Sequence, residues 1–447
     1  MANNRLRPSM KVKWRWVALG GMALATILAI AIVVRFQSTQ SNPNSPVKGA
    51  PSSNHAIGDA KGADSIADSK DNDPWMCHWR ANDPDARRKN RERENKLNLA
   101  ASDVMRAYAD KMNGRQEIRD RVLALDLRSV ADYWGAVTAI SPNENDCDEE
   151  CRLNRFEQLD QEMKRRRAPI RDEIANLAYA SDDPVAYGTA YRSCERFLED
   201  RNQGKCALLS AAQWTRLDPD NAMAWLSLAS EASQRGDVSG RDAALYRASL
   251  TGYLDAYNTE FSKFVGSREF QGEPDEVQAA IGIALMGISV ARREPIGPLF
   301  EFCGKSVTAD PSKTQVCDAL ANLFVEKGQS DLQLMIGAGL GERLKWPQER
   351  MSRIRRRIDA HAGLALEQAA ALPDDPGACK NFSKFRPWIV DVLEHGESAA
   401  YRRALASTDE SESQLAERAQ SHHRQMLMNE PNGEPPYIEA ARPSPGN

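Results

Sequence analysis

Residues 153–177 read LNRFEQLDQEMKRRRAPIRDEIANL. The apolar side chains Leu153, Phe156, Leu159 and Met163, then Ile170, Ile174 and Leu177, recur at intervals of three and four. A helix completes a turn in 3.6 residues, so this spacing gathers them on one face and leaves the charged residues on the other. The same rhythm holds from Pro74 onward, and strict alternation of apolar and polar residues, the mark of a half-buried strand, is nearly absent. Short breaks hold Gly, Pro, Asn and Asp: Pro142-Asn143, Asp182-Asp183-Pro184, Asp218-Pro219-Asp220-Asn221, Gly272-Glu273-Pro274 and Pro373-Asp374-Asp375-Pro376-Gly377. Asp ahead of Pro reads as a helix start. The carboxylate accepts from free backbone N–H groups, and Pro fits the first helical position because it has no N–H to leave unpaired. The pattern predicts an all-α chain of about a dozen helices with essentially no sheet.

The N-terminus is of another kind. MANNRLRPSMKVKWRW leads into VALGGMALATILAIAIVV. Trp16 to Val34 is 19 residues without a charge, and Thr26 is its one strong hydrogen-bonding side chain. At about 1.5 Å per residue such a helix spans a hydrocarbon core of about 30 Å. Arg5, Arg7, Lys11, Lys13 and Arg15 precede it with no acid among them, and Arg35 alone follows. This asymmetry keeps residues 1–15 in the cytoplasm and exports the rest, with Trp14 and Trp16 at the near interface. The competing reading is a cleaved signal peptide, whose apolar stretch is usually shorter and ends at a small-x-small site. Ala29-Ile30-Ala31 is the candidate site, and it lies inside the run. Both readings export the domain; the uncleaved anchor at 16–34 suits the length better.

Residues 35–73 are dominated by Ser, Asn, Gly, Pro, Ala and Asp, and read as a flexible tether with a reach on the order of 30–35 Å. Residues 74–428 form the helical domain, with a break between two lobes near 258–275. Residues 429–447, rich in Pro, Glu and Gly, read as a disordered tail. The chain holds 59 basic and 63 acidic residues. Setting aside the five basic residues before the apolar run leaves 54 against 63, an excess of nine acids that argues against a nucleic-acid partner. The basic runs Arg87-Arg88-Lys89, Lys164 to Arg167 and Arg355 to Arg357 read as solvated helix faces.

Eight cysteines, at 77, 147, 151, 194, 206, 303, 317 and 379, all fall after the apolar run, as an oxidising compartment requires. Cys194 and Cys206 flank the turn Asn202-Gln203-Gly204. Cys303 and Cys317 flank Ala309-Asp310-Pro311-Ser312. In each case two helical patterns meet at a short break, so an αα-hairpin brings the sulfurs together and both pairs are expected. Cys147 with Cys151, one helical turn apart or in a loop, is a further pairing, and Cys77 with Cys379 follows only by elimination.

Residues 206–250 read CALLSAAQWTRLDPDNAMAWLSLASEASQRGDVSGRDAALYRASL and resemble a tetratricopeptide-like repeat. Pro219 stands in the link between repeats, Trp225, Leu228 and Ala229 match positions of the first helix, Gly236 the turn, and Ala248 the small residue late in the second helix. Asp183-Pro184 precedes Asp218-Pro219 by 35 residues, close to the family's period. The likeness covers roughly one and a half repeats, and Arg241 stands where the family has a small residue. It implies a degenerate helical-hairpin domain, with disulfide-clamped hairpins like those of Sel1-like repeats, and a concave surface for a protein or peptide partner.

No catalytic motif stands out. The histidines are His55, His78, His361, His395, His422 and His423, and none belongs to a zinc-peptidase spacing. Gly337-Ala338-Gly339-Leu340-Gly341 lies within a helical pattern and reads as a close helix crossing. Cys147-x-x-x-Cys151 has acidic neighbours, which disfavour a reactive thiolate. The acid pairs Glu149-Glu150, Asp182-Asp183 and Asp374-Asp375 lie at turns or helix starts, where carboxylates complement the helix dipole. Trp75, Trp79, Trp134, Trp214, Trp225, Trp346 and Trp388 read mostly as core anchors. Nothing calls for a cofactor or a metal. The leading expectation is a non-enzymatic, membrane-tethered envelope protein whose helical domain binds a protein or peptide. The alternatives are an exported helical enzyme acting on cell-wall glycan through paired carboxylates, and a structural spacer.

Overall fold

A computed structural model describes residues 84–140, 149–195, 203–258, 295–304, 307–370 and 382–428, with scattered positions between 260 and 285. The apolar run at 16–34, the tether, the tail and Cys77, Cys147 and Cys379 lie outside the described residues, as does most of the expected break at 258–275. Among the described residues no helix is long and apolar enough to cross a membrane.

The described chain is helical. Its elements are α1 (Pro84–Asn113), α2 (Ile118–Ile140), α3 (Glu149–Tyr179), α4 (Pro184–Glu195), α5 (Ala211–Leu217), α6 (Ala222–Gln234), α7 (Val238–Ala248), α8 (Gly297–Phe302), α9 (Pro311–Lys327), α10 (Asp331–Arg343), α11 (Gln348–Ala370), α12 (Phe382–His395), α13 (Glu397–Ser407) and α14 (Glu412–Met428). Short 3-10 turns at Gly204–Leu208 and Val307–Ala309 join α4 to α5 and α8 to α9. Among the described residues there is no strand; a single parallel bridge joins Asn221 to Tyr253. The periodic stretch at 153–177 lies within α3, which continues through Pro169. Met163 and Ile174 are buried on it, and Ile170 and Leu177 pack partly buried against the main core.

Helix starts follow the side-chain chemistry. Asp183 Oδ1 accepts from Val185 N (2.8 Å) and Ala186 N (3.0 Å), with Pro184 opening α4. Asp310 accepts from Ser312 N and Lys313 N, with Pro311 opening α9. The third Asp-Pro pair departs from this expectation. Asp218 closes α5, and the cap of α6 is Asn221, whose side chain accepts from Met223 N. The carboxylate of Asp218 is drawn off to other partners, described below.

Neighbours in sequence pack as neighbours in space: α1 on α2, α2 on α3, α3 on α4, α5 on α6, α6 on α7, α9 on α10, α10 on α11 and α12 on α13. Longer-range packing sets α4 on α2, α8 on α6, and α14 on α11. The main core runs from α2 to α11 and holds both described disulfides. A second core joins α1 and α2 to Phe270, Val277, Ile281 and Leu285. A third, of Ala360, Leu364, Tyr401 and Leu415, holds α13 and α14 on α11.

The glycine-dense stretch of α10 is a close crossing at one position. A methyl group at Gly337 would lie 2.7 Å from Val325 Cγ2 and 2.9 Å from the Ala321 carbonyl of α9. Gly339 faces open space. The crossing of α11 and α14 is tighter, since a Cβ at Gly363 would lie 2.3 Å from the Leu415 carbonyl oxygen. That oxygen is backbone, so α14 itself must shift. Gly363→Ala is therefore expected to destabilise the α11–α14 contact by about 1–3 kcal/mol. Hydrogen exchange would show faster exchange across α14 with the amides of α6 and α7 unchanged; unaltered α14 protection would contradict this crossing.

Candidate functional site

The hairpin α6–α7 carries the residues of the repeat resemblance. Ala229 and Ala248 are buried at its interior, and Gly236 makes the turn at φ +73°, a conformation glycine adopts without a side-chain clash. Trp225 and Leu228 are partly buried against the main core, and Trp225 Nε1 donates to the Pro219 carbonyl at 2.7 Å. Arg241 is accommodated through ion pairs with Asp242 (2.7 Å) and Glu301 of α8 (3.3 Å). From α6, Glu231 reaches back to accept from Ala211 N at the start of α5 (2.8 Å) and from the Tyr191 hydroxyl (3.0 Å). The disulfides Cys194–Cys206 and Cys303–Cys317 are formed as expected, with Cα–Cα distances of 5.7 and 5.8 Å. In both, the helix pairing is partial. Cys206 sits in the 3-10 turn before α5, and Cys303 just past the end of α8. Cys151 is also disulfide-bonded.

Asp218 is the hub behind this hairpin. Its carboxylate accepts from the hydroxyls of Tyr253 and Tyr257 and from Asn221 Nδ2 (2.9 Å). Asn221 also bonds the backbone of Asp255 on both sides, donating to its carbonyl (2.9 Å) and accepting from its N–H (3.0 Å). Residues 253–257 are thus stitched along the α5–α6 turn. Burial, and then the bond to Asp218, push both tyrosine hydroxyls well above the ordinary range. Tyr257 stands at φ +57°, in the left-handed region unusual for a bulky residue, with its N–H bonded to the Asp255 carboxylate at 2.6 Å.

The outward side of the same region carries large apolar side chains. Val238, Tyr246 and Leu250 are 58%, 52% and 61% exposed, so each shows more than half of its surface to solvent within thirteen residues of chain. Tyr246 and Leu250 are four apart and lie on one side of α7 and its end.

A second polar cluster joins α10, α11 and α13. His361 is 1% exposed, and its Nδ1 lies 2.7 Å from Asp331 Oδ1. Its ring stacks on Tyr401 with centroids 4.5 Å apart and planes 12° from parallel. His361 Nε2 and the Tyr401 hydroxyl are buried without a hydrogen-bond partner. Glu397 is partly buried, and its Oε2 accepts from Asp331 N at 2.9 Å. Burial, and then the charge of Asp331, hold that carboxyl well above the ordinary carboxylate range. The two helix starts are joined once more by Ser398 N donating to the Gln329 carbonyl at 3.0 Å.

The acid pairs adjacent in sequence lie elsewhere. Asp183 is engaged as the cap of α4 and in an ion pair with Arg119 (2.7 Å); Glu149 and Glu150 open α3; Asp374 and Asp375 lie outside the described residues. His361 and Glu397 stand 30 and 66 residues from Asp331, and no local spacing links them. His395 pairs with Glu394 (3.7 Å) and Asp391 (3.9 Å); His55 and His78 lie outside the described residues. Among the described residues no group of three or more His, Cys, Asp or Glu could hold a metal ion. Comparison with known proteins finds no matching family model, no matching curated protein and no matching solved structure.

Proposed function

We propose that this chain is a membrane-tethered envelope protein whose exported helical domain binds a protein or peptide partner through the outer side of α7. The observation that carries the reading is the trio Val238, Tyr246 and Leu250, large apolar side chains left more than half exposed on a hairpin that is otherwise well packed. Apolar side chains gathered at a surface are favourable to cover, and aromatic ones supply much of the binding energy at interfaces. The apolar run at 16–34, its basic flank and the oxidised cysteines support export and tethering. The resemblance to tetratricopeptide-like hairpins supports a scaffolding role.

The test is a photo-reactive residue at position 246 of the full-length chain, crosslinked in intact cells. A discrete adduct is expected, reproducible between preparations, and lost when Val238 and Leu250 are both changed to Glu. Absence of any adduct, or adducts indifferent to the two charges, would remove this face as the binding surface. Circular dichroism of the double variant should be unchanged, because all three side chains project from the fold.

A further inference from the structure

We propose that the contact between Glu397 and Asp331 is a pH-operated latch, which holds the start of α13 on α10 and α11 while Glu397 carries its proton and releases it when Glu397 ionises. The geometry is that of two helix N-termini joined by hydrogen bonds. Glu397 opens α13 and accepts the first backbone N–H of α10, while Ser398 N donates into the loop just before α10. Against Asp331 lies the His361–Tyr401 stack, whose His361 Nε2 and Tyr401 hydroxyl are buried without a hydrogen-bond partner. Asp331 N is the donor that Glu397 has among the described residues, and the Asp331 carboxylate already faces His361 Nδ1.

The charged groups around Glu397 fix the direction. From α10 comes the carboxylate of Asp331, which opposes ionisation. From α11 comes His361, turned to Asp331. From α13 itself comes the neutral phenol of Tyr401. On α12, His395 pairs with Glu394 and Asp391, and Asp391 pairs with Arg403 of α13 at 2.5 Å, so those charges are matched among themselves. From α14, Arg418 pairs with Glu410 ahead of that helix. A carboxyl whose pKa is higher in the folded chain binds its proton more tightly there. Its contribution to stability is complete below the ordinary glutamate pKa and is lost as pH rises through the raised value. The latch is therefore closed on the acid side and loosened on the alkaline side. Its release would uncover Tyr401, which is fully buried when closed.

Native-state hydrogen exchange of the purified full-length chain across a pH series tests this, with protection corrected for intrinsic exchange and referred to the amides of α6. The amides of Asp331 and of the first turns of α13 are expected to lose protection by up to tenfold per pH unit between the ordinary glutamate range and the raised value of the closed latch, the limit for one linked proton, and to level off above it. Glu397→Gln should abolish that slope. Flat protection in the parent chain, or an unchanged slope in the Gln variant, overturns the latch. Should Glu397→Gln fail to fold, Asp331→Asn serves instead. It removes the opposing charge and so lowers the closed-state pKa alone, and the loss of protection must level off at lower pH and be smaller in total; an unmoved or more alkaline levelling-off also overturns the proposal.

Discussion

Replacing Trp214 with Ala is expected to lower the stability of the domain by about 3–5 kcal/mol, the range for deleting a fully buried aromatic. Trp214 has no exposed surface and lies between Tyr191, with centroids 5.5 Å apart, and Tyr257, at 6.0 Å. Its seat exists because residue 188 is glycine. A Cβ there would stand 2.4 Å from Tyr257 Cε2 and 2.8 Å from the indole. The walls cannot readily close on the cavity that Ala would leave. Tyr257 is held by Asp218, Tyr191 by Glu231, and α4 by the Cys194–Cys206 bridge. The value should thus fall toward the upper end. Trp225 is the contrasting residue. It is the one that the repeat resemblance singles out, yet it is only partly buried, and its indole N–H is satisfied by the Pro219 carbonyl. Trp225→Ala should cost under about 3 kcal/mol, within the ordinary range for single substitutions. Urea unfolding followed by circular dichroism ranks the two. A larger effect at Trp225 would mean that the stacking of repeats, and not the Trp214 seat, holds this part of the fold.

That contrast shows where the sequence was legible. Helices were legible because burial of one face leaves a period of three and four, and the caps of α4 and α9 because Asp-Pro satisfies free N–H groups with local atoms alone. The two disulfides were legible because 12 and 14 residues of separation, bent at a turn, leave few other partners within reach. Asp218-Pro219 misled for a physical reason. The local signal for a cap is a nearby carboxylate, but here two tyrosine hydroxyls 35 and 39 residues away compete for it and win, and Asn221 takes over the cap. Trp214 appeared only as one of several core candidates, because a seat made by a glycine and two tyrosines on other elements has no local spacing. The cluster of Asp331, His361, Glu397 and Tyr401 was illegible for the same reason. Each of these residues has an ordinary local explanation: Asp and Glu open helices, and His and Tyr lie on helix faces. Only tertiary packing turns them into one site.

The second large effect concerns the cross-links. Removing either described disulfide, as Cys194→Ala with Cys206→Ala or Cys303→Ala with Cys317→Ala, is expected to cost about 3 kcal/mol, the value for freeing a closed loop of about 15 residues in the unfolded chain. The four cysteines are at most 2% exposed, so a reductant reaches the bridges only through opening of the surrounding structure. Reduction of the parent chain should accordingly be slow in buffer and accelerate steeply in urea. The two bridges differ in what they hold. Cys206 fixes the 3-10 turn before α5, which has a second anchor where Lys205 N donates to Asp172 Oδ1 at 2.9 Å. Cys303 fixes the end of α8, a helix of six residues, far too short to persist without tertiary support. Both double variants should lose similar global stability in urea, but the second alone should become sensitive to proteolysis between residues 297 and 310. If both variants unfolded at the parent's urea concentration, the loops would already be ordered in the unfolded chain. The cross-links would then be a consequence of the compartment and contribute little to the fold. If stability falls as expected, an oxidising compartment is a condition of the fold itself, and the buried thiols become a direct reporter of where the chain has matured.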